Sequence, residues 1–267
     1  MKRFIFFILF TKIIYYFLCT NLLAEFPLVK GEYFGLNQPG DIPVMFAPGI
    51  ISTEFHDDAA PVYSPDGKEV YIRIVYKIDN TFYSTIFWMK MDHDSVWSSP
   101  EIAPFSGRYL DGGVTFLPDK DRILFWSNRE NKNHYDTDFW MVERTGKTWE
   151  EPAKIEKISS TATEIYPCHL SPKKLFWMVE EIKNDPAPTL LMSTINKQQF
   201  NKPKKVDILP NVKENPLFWC FSPDGDYLLL SLKTAQNGYD LYVSFRNERK
   251  QFGTPISLGA AINSKFM

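Results

Sequence analysis

Beyond residue 24 the chain alternates short apolar runs with polar turn residues, and no segment sustains apolar positions at helical spacing with caps. Runs rich in β-branched and aromatic residues, bounded by Pro, Gly, Asp and Asn, read as strands. The first set predicts strands over 60–63, 69–75, 85–91 and 101–103, and matching runs recur at 122–126, 138–142, 227–232 and 240–245. Phe-Trp pairs stand at Phe87-Trp88, Phe125-Trp126, Phe139-Trp140, Phe176-Trp177 and Phe218-Trp219. Successive side chains on a strand point to opposite faces, so each pair places a large ring on both. Sheets of this kind must be covered on both sides, unlike a sheet with one face in water.

Two markers set the length of the unit. Ser64-Pro65, Leu117-Pro118, Ser171-Pro172 and Ser222-Pro223 follow one another at intervals of 53, 54 and 51 residues. An aromatic residue three before a proline recurs as Trp97/Pro100, Trp149/Pro152, Phe200/Pro203 and Phe252/Pro255, its aromatics 52, 51 and 52 apart. Four strands per unit of about 52 residues predict an all-β propeller of four-stranded antiparallel blades. In S-P-D-G, proline presets the backbone dihedral, aspartate bonds neighbouring amides and glycine takes the exit conformation. Pro65, Asp66, Gly67, Pro118, Asp119, Pro172, Pro223, Asp224 and Gly225 are therefore expected to be structural turn residues between an innermost strand and the next, not a catalytic serine–carboxylate pair.

S-P-D-G-K-E-V-Y and S-P-D-G-D-Y-L-L before a strand, with W-x-x-P closing the unit, resemble the WD40-like β-propeller repeat of bacterial envelope proteins, the TolB type. The resemblance covers about residues 40 to 262. Leu117-Pro-Asp-Lys120 and Ser171-Pro-Lys-Lys174 depart from it by losing the glycine, the latter also the aspartate. It implies a periplasmic protein that acts by binding other envelope proteins, without transferring a partner or a contact residue.

The N-terminus fits that location. Lys2 and Arg3 precede an apolar run from Phe4 to Leu18, and Leu22-Leu23-Ala24 offers a cleavage point before Glu25, as in a secretory signal peptide. Lys12 interrupts the run, an uncleaved membrane anchor is the competing reading, and Cys19 follows Leu18 where a lipoprotein signal wants a small residue. Removing residues 1–24 takes the formal charge from -2 to -5. A mildly acidic surface without basic clusters argues against nucleic acid as a partner. Cys168 and Cys220 then remain. Counted back from Pro172 and Pro223 they lie one step out of phase, which predicts two free, buried thiols on opposite faces rather than a disulfide.

The expected organisation is a signal peptide at 1–24, an N-terminal extension at 25–54, four repeats at 55–258 (about 55–105, 106–157, 158–208 and 209–258) and the stub of a further repeat at 259–267. Pro43-Val-Met-Phe46 reads as the outer strand of a preceding unit. This pattern suggests a chain truncated relative to a ring of five or more blades.

Catalytic constellations are not found. There is no G-x-S-x-G, and no serine, histidine and acid that the repeat would bring together. His56, His93, His134 and His169 share neither a repeat position nor metal spacing. No cofactor is expected. Calcium is the one ion the oxygen-rich loops suggest, at His56-Asp57-Asp58, Asp92-His-Asp94 and Asn131 to Asp138, and Asp138 and Asp240 share a repeat position. The function these observations favour is a non-catalytic extracytoplasmic module binding protein or peptide. The alternative is a carbohydrate-binding or degraded glycan-hydrolase-like propeller, because Asp92–Trp97 and Arg144–Trp149 faintly resemble the hairpin motif of sialidase propellers.

Overall fold

The computed structural model describes residues 26–263 except 39, 41, 54–56, 59–60, 131–134, 172, 182–184, 197–198, 210–211, 213–215, 217–218 and 235–237. The expected export segment lies outside these residues, as do His56, His134, Pro172 and Phe218. Blade I holds β1 (Asp57–Asp58), β2 (Val62–Tyr63), β3 (Glu69–Ile78), β4 (Thr81–Lys90) and β5 (Glu101–Ile102). Blade II holds β6 (Asp111–Phe116), β7 (Arg122–Ser127), β8 (Asp138–Thr145), β9 (Thr148–Trp149) and β10 (Ala153–Lys154). Blade III holds β11 (Thr163–Ser171), β12 (Lys174–Glu181), β13 (Asp185–Asn196), β14 (Gln199–Phe200) and β15 (Lys204–Lys205). Blade IV holds β16 (Trp219–Phe221), β17 (Tyr227–Lys233), β18 (Tyr239–Phe245) and β19 (Ile256–Ser257). All pairings between these strands are antiparallel, and successive blades touch through their inner strands: β6 with β3 and β4, β11 with β6 to β8, β16 with β11. The architecture is a four-bladed β-propeller.

Alternation of the aromatic pairs builds the seams. Phe125 and Trp140 face blade I, in a cluster with Tyr71, Trp88 and Phe105, whereas Trp126 and Phe139 face blade III, in a cluster with Trp177. Phe176, next to Trp177, faces the other way, into blade IV beside Phe221. Trp177, Phe125 and Phe139 are each fully buried, and such burial contributes about 2–3 kcal/mol per side chain.

The two S-P-D-G turns are near copies. Ser64 Oγ donates to Asp66 Oδ1 (2.6 Å), Asp66 Oδ1 accepts the Lys68 amide (3.1 Å), and Ser64 Oγ accepts the Glu69 amide (2.9 Å). Ser222, Asp224, Asp226 and Tyr227 repeat this at 2.6, 3.1 and 3.0 Å. The serine hydrogen bond holds both carboxyls below the usual range. Gly67 and Gly225 adopt φ of 70° and 77°, and in blade II Lys120 takes the same left-handed place at 72°. An exposed lysine tolerates that conformation at modest cost, which is how Leu117-Pro-Asp-Lys keeps the turn after losing its glycine.

Three expectations change. The β3–β4 hairpin is longer than its apolar runs, because Asp79 and Asn80 (φ 47° and 64°) form a tight two-residue turn that extends the ladder. Pro43–Phe46 forms no strand. The segment around it lays Val29, Phe34, Ala47 and Ile51 over Val70, Ile72, Met89 and Trp97, covering the outer face of blade I. At the other end the expected further strand at 262–267 lies outside the described residues beyond Asn263. Asn263 clips onto β18, its Oδ1 accepting the Leu241 amide and its Nδ2 donating to the Leu241 carbonyl.

The cysteines are the third change. Both are free, but a bulge between His169 and Ser171 absorbs the extra residue, so Cys168 pairs with Phe176 where Cys220 pairs with the equivalent Leu229. They occupy the same register of adjacent blades, not opposite faces. Cys168 is half-buried against blade IV, and burial pushes its thiol up to about 12, whereas Cys220 is exposed. With a disulfide-exchange reagent, Cys220 should be modified quickly and Cys168 only after denaturation. Equal rates in the native protein would contradict this arrangement.

Candidate binding cleft between blades III and IV

The residue that opens the second strand of a blade and a residue at the end of the third strand of the next blade flank each seam at its proline-turn end. At the I–II seam these are Glu69 and Arg144, and they form an ion pair. Glu69 also accepts from the Tyr71 hydroxyl (2.9 Å), and the Arg144 guanidinium lies over Trp149 at 4.2 Å. The seam is closed.

The II–III seam closes differently. Arg122 occupies the Glu69 register but turns back onto Asp119 of its own turn. Ile195 stands where Arg144 does, since Ile195 pairs with Phe200 as Arg144 pairs with Trp149. Leu124, Ile195 and Phe200 then pack in one apolar cluster.

At the III–IV seam both charge positions are cationic. Lys174 takes the Glu69 register, Phe176 that of Tyr71, and Arg246 that of Arg144, pairing with Phe252. Lys174 and Arg246 line a cavity of ≈ 850 Å³ that opens between the blades. Phe176, Met192 and Phe252 give it an apolar floor, and Lys205 and Lys250 add two further cations against one carboxylate, Asp207. Asp207 is engaged by the Leu209 amide at 3.1 Å. Arg246 donates through Nε to the Lys250 carbonyl (3.2 Å) and lies 6.0 Å from the Phe252 ring. Among the described residues none of these four cations has an ion-pair partner.

None of this was apparent from counting charges. A chain of net charge -2 shows no basic cluster in sequence, because Lys174, Lys205, Arg246 and Lys250 are spread over 77 positions. The signal was there in the repeat alignment: Glu69, Arg122 and Lys174 each open the strand after the proline turn, and only the first is acidic.

The other sequence candidates are placed as follows. Asp92, His93 and Asp94 bring their ligand atoms within 4.8 Å of one another, all exposed. Asp92 Oδ1 is occupied by the amides of Asp94 and Val96, both at 2.9 Å, so the group closes a turn. Asp138 is buried and accepts from Lys154 Nζ at 2.8 Å, whereas Asp240, in the same register, is half-exposed. His169 lies on β11. Of Trp97 and Trp149, which end the two sialidase-like hairpins, the first is buried and the second half-buried. Trp97 is buried against Phe34 at 4.6 Å and donates to the Gly31 carbonyl, and Trp149 lies beneath Arg144.

No family model matches the chain, and no curated protein matches it. Among solved structures it is similar to TolB from Acinetobacter baumannii, with 13% identity over 76% of this chain and 45% of that one and a TM-score of 0.47. A putative TolB from Agrobacterium tumefaciens matches at 14% identity over 71% of this chain and 58% of that one, also at 0.47. A puromycin-hydrolyzing peptidase from Mycobacterium tuberculosis matches at 11% identity over 80% and 40%, again at 0.47. The chain spans about half the length of these structures. By its four antiparallel sheets the chain is a β-propeller.

Proposed function

We propose that the chain is a non-catalytic, extracytoplasmic propeller that binds a protein or peptide of the cell envelope. The observation that carries this reading is the open III–IV seam. Where the I–II and II–III seams are closed by an ion pair and by apolar packing, the III–IV seam holds a concave, apolar-floored cavity within the size range of ligand sites. Of the buried acids among the described residues, Asp111 bonds Arg129 and Ser106 and Asp138 bonds Lys154, whereas Glu164 is held through one oxygen only, by Ser160. Burial of Trp97 and the guanidinium over Trp149 take the two rings of the sialidase-like hairpins away as platforms for a sugar, which weighs against the carbohydrate reading.

Affinity capture from the native envelope with the exported chain is expected to retain a specific protein or peptide, and a glycan array is expected to stay silent. Strong binding to a defined sugar would overturn the proposal.

A further inference from the structure

We infer that the III–IV cleft takes an acidic peptide segment, whose carboxylate completes between Lys174 and Arg246 the ion pair that Glu69 completes with Arg144 at the I–II seam. This rests on the binding reading above and specifies its ligand. The argument is internal to the molecule. Equivalent registers hold Glu69 and Tyr71 in blade I but Lys174 and Phe176 in blade III, while the partner strand keeps its arginine in both, as Arg144 and Arg246. Where the acid is present the guanidinium is paired and packed at 4.2 Å on its aromatic ring. Where it is absent the arginine stands 6.0 Å from its ring, a second cation faces the same space, and a cavity of ≈ 850 Å³ opens.

Charge complementarity names the occupant. Four cations against one already engaged carboxylate favour an anion, and they do so in a chain that is net acidic, so the basic cleft is a local feature. The floor of Phe176, Met192 and Phe252 asks for more than a small ion. An apolar side chain beside the carboxylate would cover it, as Tyr71 and Trp149 cover each other at the I–II seam. A peptide alternating acidic and apolar residues carries both features.

The test uses the exported chain and a fluorescein-labelled octapeptide alternating Glu and Phe, read by fluorescence anisotropy. Wild type is expected to bind it, and the matching Gln/Phe peptide at least about tenfold more weakly, because the charge-assisted bonds are lost. Lys174→Glu recreates the I–II pair with Arg246 inside the seam. It should abolish binding while raising the melting temperature, which a mere loss of folding cannot do. Arg246→Gln should weaken binding without that gain.

Failure of wild type to bind the Glu/Phe peptide, or equal binding of the Gln/Phe peptide, would overturn the inference. So would unchanged affinity in Lys174→Glu, or inorganic phosphate competing as well as the unlabelled peptide. Envelope capture with both forms separates the two levels. A partner retained equally by wild type and Lys174→Glu removes this inference and leaves the binding reading standing. Retention by neither removes the binding reading itself.

Discussion

Glu164→Gln is expected to flatten the dependence of stability on pH between about pH 5 and pH 8 and to make the variant more stable than wild type at pH 8. Glu164 is fully buried at the start of the blade III inner strand. Its Oε1 accepts from Ser160 Oγ, and its Oε2 has no hydrogen-bond partner among the described residues. Burial, aided by Asp138 and Asp136, pushes its carboxyl from an ordinary 4.5 up to about 8.

The contrast with blade II explains the strain. Asp111 sits in the same place, its carbonyl accepting from Ser84 as that of Glu164 accepts from Thr137. Asp111, however, is matched by Arg129 at 3.1 Å and Ser106 at 2.8 Å. Counted along the strands from the aligned Leu124 and Phe176, the place of Arg129 falls in blade III on Glu181.

A folded-state carboxyl that keeps its proton where the unfolded chain has released it makes stability fall as pH rises. The loss begins near the unfolded value and continues towards the folded one, at up to about 1.4 kcal/mol per pH unit. Glutamine presents a neutral group of the same shape at every pH, so the fall should disappear. Urea melts at pH 5, 6.5 and 8 measure it, and a wild type equally stable at all three would refute the account.

Gly113→Ala is expected to destabilise the protein by about 3 kcal/mol or more. Gly113 has φ of 64°, and a Cβ there would lie 2.4 Å from Trp126 Cδ1 and 3.1 Å from Pro167 Cδ. At its neighbour Gly112 a Cβ would meet Trp126 Cζ2 at 2.4 Å and Arg73 Cδ at 2.7 Å. The indole therefore rests on bare backbone, in the register shift between Gly112 and Thr115, while the Arg73 guanidinium of blade I lies 4.8 Å from its ring. Alanine would be in an unfavourable backbone region and in collision with a buried tryptophan. Chemical denaturation measures the loss, and a change below about 1 kcal/mol would show that the indole can yield.

The Gly112-Gly113 pair could be read as a bulge from sequence, but not as the seat of a particular tryptophan. That assignment needs the blade I arginine and the blade III proline, 40 residues before Gly113 and 54 after it, to converge on one ring.

What the sequence determined by itself was everything governed by local stereochemistry and alternation. Proline and a left-handed residue set the turns, side-chain alternation sent Phe125 and Trp126 into different seams, and the spacing of those turns set the blade length. The tertiary structure alone decided what depends on which residues from neighbouring blades face one another. A one-residue bulge moved Cys168 into the register of Cys220. An irregular N-terminal segment, not an outer strand, came to cover blade I. The charges opening successive blades produced one paired seam, one apolar seam and one cationic cleft. Ion pairing and burial act through space between residues about 75 positions apart, as with Glu69 and Arg144, so a pattern read along the chain marks the positions without showing which of them will meet.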